Sequence, residues 1–235
     1  MLKSLSIVTI TYNNQEDLIN TYSSLKSFRE SGGTHIIVNG GNTVKQLIGV
    51  DCVLIEEPDN GIYDALNKGI ELVQTPYFML IHSGDFLVAA LNVLEEQIAS
   101  MNEKQLDILL NDCIIEFGRG RRLMKSKNWK PWMFKLGAQP PHPPIIYKSS
   151  LVENLKYDIK HPIIADFEYL ERIFKDIPKY DKGNQTLVFM SAGGKTSSGV
   201  SSFLAVNREF RRLKGILVSR CFVFTRPIIK IIQMI

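Results

Sequence analysis

Val53 to Asp85, VLIEEPDNGIYDALNKGIELVQTPYFMLIHSGD, is the stretch from which the fold follows. It reads as a short strand over Val53 to Glu56, a Pro-Asp-Asn-Gly turn, an amphipathic helix from about Ile62 to Val73, and an apolar strand from Tyr77 to Ile81. That last strand runs straight into His82-Ser83-Gly84-Asp85, where the apolar pattern stops at a carboxylate. In a parallel α/β sheet, ligands bind beyond the C-terminal ends of the strands, where loops open into a crevice and helix N-termini present free N–H groups. Asp85 is thus expected where a metal or a phosphate would be met.

Working outward toward the N-terminus, Leu5 to Thr11 (LSIVTIT) is a β-branched run that ends at Thr11-Tyr12-Asn13-Asn14. A helical segment follows from Gln15 to Phe28, with Asn13 or Asn14 as its cap and Glu16 and Asp17 at its positive end. A second strand, Thr34 to Val38, closes on Asn39-Gly40-Gly41-Asn42-Thr43, and a short helix is expected before Val53. Strands separated by helices predict right-handed parallel crossovers, so the first half of the chain reads as half of a doubly wound sheet. It carries no G-x-G-x-x-G after the first strand and no G-x-x-x-x-G-K-[ST], which argues against dinucleotide and P-loop sites. Thr11-Tyr12-Asn13 also lacks the glycine-rich basic loop that opens a sugar nucleotidyltransferase.

Toward the C-terminus the pattern changes. A helix at Leu91 to Ser100 precedes an apolar run, Leu106 to Phe117, that folds back through Gly118-Arg119-Gly120-Arg121-Arg122 to Leu123 to Lys125. Trp129, Trp132 and Phe134 then stand near Gln139-Pro140-Pro141-His142-Pro143-Pro144, in which four prolines hold one histidine in a non-helical loop. The three aromatic residues suit either the core or an acceptor platform. Further strands are expected at Ile145 to Lys148 and Thr186 to Met190, around a helix from about Asp166 to Phe174. Gly193 and Gly194 would let the loop after the last strand close over a ligand, though glycine pairs also occur in passive loops.

The 235 residues carry 45% hydrophobic and 22% charged side chains, ordinary for a soluble domain with a sizeable core. Cys52, Cys113 and Cys221 are odd in number and lack metal-type spacing, so they read as reduced thiols. The first residues lack the charged region, apolar stretch and cleavage site of a secretory signal, and export is not expected. The net charge of +4 is unevenly spread: residues 208 to 235 hold seven Lys or Arg against one Glu, or +6, which leaves −2 for the rest. Arg220, Arg226 and Lys230 interrupt any membrane span in this tail, and Pro227 breaks a helix. Apolar stretches between cations suit an interfacial segment on an anionic membrane, or else a helix packed on the domain with its cations in water. No stacking platform accompanies the charge, so nucleic acid is not an expected partner.

Four blocks resemble the family 2 glycosyltransferases of the GT-A fold, and among them the enzymes of colanic acid, capsule and O-antigen (lipopolysaccharide) assembly. They are the strand ending Thr11-Tyr12-Asn13; Glu57-Pro58-Asp59-Asn60-Gly61-Ile62-Tyr63-Asp64-Ala65-Leu66-Asn67-Lys68-Gly69; Ser83-Gly84-Asp85; and Ala165-Asp166-Phe167-Glu168-Tyr169-Leu170. The second block is similar almost residue for residue to the subgroup's E-P-D-x-G-I-x-D-A-M-N-K-G, and the likeness spans roughly residues 5 to 200.

The resemblance implies an α/β GT-A domain over 1–205, with a Rossmann-like, mostly parallel sheet flanked by helices. Its nucleotide-sugar half would be about 1–100 and its acceptor half about 101–205, followed by a basic apolar extension at 206–235. It implies an inverting, metal-dependent transfer of a sugar from a nucleoside diphosphate donor, UDP favoured, to a lipid-linked saccharide acceptor, on the cytoplasmic membrane face and in surface polysaccharide synthesis. Thr11, Tyr12, Asn13 and Asn39 would line the base pocket, Asn39 standing where the family usually has Asp. Asp59, Asn67, Lys68, Ser83 and Gly84 would serve the donor, Asp85 would hold Mn²⁺ or Mg²⁺, and His142 would lie on the acceptor or phosphate side. Asp166 would be the general base.

Each role has a plainer counterpart. Asp166 would serve equally as a helix cap bonded to Tyr169 N–H, Asp85 as a turn residue, Asp59-Asn60-Gly61 as a simple turn, Lys68 as a solvated cation and His142 as a structural hydrogen-bonder. Two further classes fit the sequence, a sugar-nucleotide-binding subunit without catalysis and a peripheral membrane adaptor.

Overall fold

A computed structural model describes residues 2–46, 48–49, 51–117, 120–191, 199–215, 222, 223 and 225. Gly193 and Gly194, Cys221 and residues 226–235 lie outside the described residues.

The first strands form where β-branched and apolar residues run without interruption: β1 (Leu5–Thr11), β2 (Thr34–Asn39), β3 (Val53–Glu56) and β4 (Tyr77–His82). All pair in parallel, β1 lying between β2 and β4 and β3 outside β2. Alternate residues of β1 face opposite ways, as the strand period requires. Leu5 and Ile7 enter a core with Leu25, Phe28, Leu94 and Ile98. Val8 and Ile10 enter another with Ala65, Leu66 and Leu170.

The expected first helix is interrupted at Leu25, giving α1 (Gln15–Ser24) and α2 (Lys26–Glu30). Asn14 is the N-cap residue but makes no side-chain cap bond; its amide turns to the Asp17 carboxylate. The short helix expected before Val53 is absent among the described residues, where turns stand instead, and Glu56 accepts the Val44 N–H at 2.6 Å to hold them. The amphipathic segment after the Pro-Asp-Asn-Gly turn is α3 (Ile62–Glu71).

The second half mixes directions. β5 (Phe86–Leu87), α4 (Leu91–Lys104), β6 (Ile108–Phe117), β7 (Gly120–Met124), β8 (Ile146–Lys148), α5 (Ala165–Lys175), β9 (Tyr180–Met190) and α6 (Gly199–Lys214) follow in order. The sheet runs β3-β2-β1-β4-β8-β6-β9-β5, with β7 on β6. β8 is antiparallel to both neighbours, and β9 is parallel to β6 through a bulge near Asp112. Trp129 is fully buried and meets Phe134 and Phe174 edge-on, so both Trp129 and Phe134 belong to the core, whereas Trp132 is half exposed.

The boundary expected between 205 and 206 falls inside α6, whose Val206, Glu209 and Phe210 are buried. Phe222 packs edge-on against Phe210 and Thr225 donates to the Leu136 carbonyl at 2.8 Å, so these tail residues lie on the domain. No helix among the described residues is long and apolar enough to cross a membrane.

Candidate active site

Strands β3, β2, β1 and β4 run parallel, so their C-terminal ends share one edge of the sheet, and the loops there are bonded to one another. Gly40 N–H donates to the Thr11 carbonyl at 3.1 Å and Asn42 N–H to Asn13 Oδ1 at 2.8 Å. Asn39 is buried; its amide donates to the Asn42 carbonyl at 2.7 Å and to Glu56 Oε1 at 3.3 Å, while its Oδ1 accepts Gly41 N–H at 3.0 Å. In this arrangement the Asn39 side chain is a strut of the loop rather than a free edge. The Asp59 carboxylate accepts Gly61 N–H at 2.9 Å and lies against Gly40, where any Cβ would overlap it. Tyr12 stands 65% exposed over this edge, and Thr11 Oγ1 is buried without a partner, which leaves a ring and a hydroxyl for a ligand.

β4 ends beside β1, and the Ser83-Gly84-Asp85 turn is pinned from three sides. Ser83 N–H reaches the Ile10 carbonyl at 3.1 Å, Thr21 Oγ1 donates to the Asp85 carbonyl at 2.8 Å, and Ser191 Oγ donates to the Gly84 carbonyl at 2.5 Å. The Asp85 side chain is buried, and that burial raises its pKa to about 7 against the pull of the backbone N–H groups of Ser191 and His82. It has no cationic partner among the described residues. A carboxylate with no cation beside it is the feature of this turn that a divalent ion would use. Among the described residues no three His, Cys, Asp or Glu groups converge, so the diphosphate and water would supply most of its oxygen ligands. His82 has a buried Nε2 without a partner, and burial lowers its pKa to about 4. The charges acting on its ring are those of His142 and Asp166.

Asp166 sits in the first turn of α5 and lines a cavity of about 210 Å³ together with Gln139, His142, Cys113, Met190 and Phe210. Its carboxylate is held on both oxygens. Gln139 Nε2 donates to Oδ2 at 2.6 Å, and Tyr63 OH (3.3 Å) and Phe167 N–H (2.8 Å) donate to Oδ1. A carboxylate offers about four lone-pair positions, so one remains for an incoming proton. Burial and the Asp166 charge push the Tyr63 hydroxyl far above its ordinary pKa, so it stays a donor. His142 is buried with Nε2 at 3.0 Å from Tyr157 OH, and its burial lowers its pKa, favouring the neutral ring. Of the two acids, Asp166 lines this cavity and Asp85 does not.

The family model described as glycosyl transferase family 2 matches residues 6–174, which contain all of these groups except Met190, Ser191 and Phe210. The chain belongs to glycosyl transferase family 2. Over 182 residues this glycosyltransferase is 29% identical to an uncharacterised glycosyltransferase of Mycobacterium tuberculosis, covering 72% of this chain and 68% of the relative. Its fold is that of GT-A enzymes. It superposes on S. aureus TarS (1–349) in complex with UDP with a TM-score of 0.64 and 13% identity, over 93% of this chain and 69% of that one. It also superposes on the mannosyltransferase PcManGT of Pyrobaculum calidifontis, in complex with GDP-Man and Mn²⁺, with a TM-score of 0.66 and 12% identity, over 98% and 72%.

Within this family 2 glycosyltransferase, several residues sit otherwise than their motif suggests. Asp166 is not the cap of α5: that position is Ile164, and no side chain of α5 caps it. Asn67 uses both ends of its amide on the Tyr157 backbone, at 3.0 and 2.8 Å, and so ties α3 to the segment before α5. Lys68 pairs with Glu57 at 2.9 Å and donates to the Pro58 carbonyl at 2.7 Å, which places its charge on the turn ahead of α3. Asp64 accepts Asn60 N–H at 2.9 Å and so closes the turn ahead of α3. Sequence reasoning missed Tyr63 and Gln139 as partners of Asp166. Tyr63 lies inside the E-P-D motif, and its hydroxyl is the signal that was available.

Proposed function

We propose that this glycosyltransferase moves a sugar from a UDP-sugar to a lipid-linked saccharide acceptor with inversion, on the cytoplasmic face of the membrane and in surface polysaccharide assembly. The observation that carries the chemistry is Asp166, gripped through both oxygens yet with a lone pair left over, on the wall of a cavity. The acceptor hydroxyl attacks the anomeric carbon as its proton passes to Asp166, and the bond from that carbon to the diphosphate oxygen breaks on the opposite face. Mn²⁺ or Mg²⁺ held by Asp85 would neutralise charge on the departing diphosphate. Thr11, Tyr12, Asn13 and Asp59 would receive the nucleoside, with Asn39 holding their loop in shape. Support for the donor class comes from TarS with UDP and PcManGT with GDP-Man and Mn²⁺. Support for a membrane-borne acceptor comes from the exposed Arg208, Arg211 and Arg212 of α6 beside the exposed Leu204.

Calorimetry with UDP and GDP in the presence of Mn²⁺, followed by release of nucleoside diphosphate from the matching sugars, tests the reading. Asp166→Asn is expected to bind UDP normally and to lose at least about 100-fold in turnover; near-normal turnover would remove Asp166 from the mechanism. Asp85→Ala is expected to abolish the Mn²⁺ dependence of UDP binding, and an unchanged dependence would rule it out as the ligand. Nucleotide binding with no turnover for any donor and acceptor would favour a binding subunit instead. Liposome binding without nucleotide affinity would favour an adaptor.

A further inference from the structure

The helix that presents Asp166 begins without a cap of its own. The N-cap of α5 is Ile164, an apolar residue that cannot satisfy the free N–H groups at a helix start. Within the helix, Ala165 N–H donates to the His161 carbonyl and Phe167 N–H to Asp166 Oδ1, while the N–H groups of Ile163 and Ile164 just ahead of it are met from α6. Glu209, 4% exposed, places Oε2 3.0 Å from Ile163 N and 3.1 Å from Ile164 N. A buried carboxylate is costly unless its charge is met, and here two N–H groups at the positive end of α5 meet it.

Two more contacts continue along the same pair of helices. Phe210 packs edge-on against Phe167 with centroids 4.9 Å apart, and Lys214 pairs with Glu171. The partners advance together, from 163 and 164 through 167 to 171 on one side and from 209 through 210 to 214 on the other. α6 therefore fixes the axial position of α5 as well as its start. A slip of one residue along a helix is about 1.5 Å, and a displacement of about 1 Å at a reacting group can cost 10²-fold in rate.

We propose that Glu209 is a positioning residue of the transfer reaction: it caps the helix that carries Asp166 and so sets where the base stands, making α6 part of the catalytic architecture. The inference rests on the assignment of Asp166 as base under Proposed function. Asp166 itself lies two residues after Ile164, in the first turn of α5, and Glu209 also adds to the charge felt by Tyr63, the residue that holds Asp166.

The test uses the full chain, with release of nucleoside diphosphate from UDP-GlcNAc, UDP-glucose and GDP-mannose as the activity probe and amide hydrogen exchange as an independent measure. Glu209→Ala is expected to lower kcat by about 10- to 100-fold with the donor KM within about threefold, and to speed exchange in peptides covering 161–170 while leaving β1 to β4 unchanged. Glu209→Gln keeps an acceptor oxygen and is expected to restore protection of 161–170 and most of kcat. A Glu209→Ala protein with wild-type kcat and unchanged exchange overturns the proposal. So does a loss shared equally by kcat, donor affinity and exchange across the whole sheet, which is general destabilisation. If Asp166→Asn stays active while Glu209→Ala alters exchange at 161–170, the cap stands and the base assignment falls. If no donor is turned over, exchange alone decides: protection kept in Glu209→Ala removes the cap.

Discussion

At the scale of single residues, the site depends on how one carboxylate is held. Tyr63 has one hydroxyl proton and two acceptors, the Ile163 carbonyl at 3.1 Å and Asp166 Oδ1 at 3.3 Å, so its hold on Asp166 is shared with the backbone ahead of α5. Tyr63→Phe keeps the ring stacked on Tyr157, 5.4 Å away, and removes the hydroxyl from both Asp166 and the Ile163 carbonyl. The expected result is a kcat lowered by roughly tenfold with UDP affinity nearly unchanged, since one hydrogen bond to a charged group is worth about 1.5–3 kcal/mol. An equal loss in UDP affinity would show that Tyr63 serves the donor instead. The hydroxyl was visible in the sequence, but its partner lies 103 residues away, and no local pattern joins the two.

At the scale of elements, α3 reaches the sheet closely because Gly69 has no side chain. A Cβ there would overlap Val8 and press on Val38, so the helix rests directly on β1 and β2. Gly69→Ala raises helix propensity by about 1 kcal/mol but overpacks a fixed interface, which typically costs about 1–3 kcal/mol. A lower urea midpoint is therefore expected, and a higher one would mean that α3 is free to move outward. The borders of β1 and β3 agree with the sequence reading because uninterrupted branched residues stop at polar turns in both. β5 was missed because two residues, Phe86 and Leu87, carry no period; they are a strand only because β9 pairs with them. That pairing also brings Ser191 onto the Asp85 turn, a contact no reading of either segment alone supplies.

At the scale of the whole molecule, buried imidazoles set the response to acid. His35, on β2, bonds through Nε2 to Thr9 Oγ1 at 2.9 Å, and burial lowers its pKa to about 3; His82 is lowered to about 4, and His142 is lowered in the same way. An imidazole that stays neutral when folded but protonates near pH 6.5 when unfolded gives the unfolded chain more protons below that pH. Its contribution to stability is therefore full above about 6.5 and declines as the pH falls toward the folded value. Asp85 acts with the opposite sign, since its raised pKa of about 7 favours the folded state between about pH 4 and 7. The three imidazoles and Asp85 therefore act against one another as the pH falls. His35→Gln is expected to lose less stability than wild type between pH 7 and pH 5, by on the order of 2 kcal/mol. Equal slopes for the two proteins in urea titrations at these pH values would show that His35 is not among the groups responsible.

The sequence by itself determined the parallel strands of the first half, the turn ahead of α3, the carboxylate after β4 and the family, because each is written in neighbouring residues through period, capping and turn chemistry. Only the tertiary structure decided what holds Asp166: Tyr63 from α3, Gln139 from the proline loop and, through the start of α5, Glu209 from α6. Those groups are brought together by burial of apolar faces, and burial selects partners by shape and distance in space, a criterion that leaves no trace in the order of the residues.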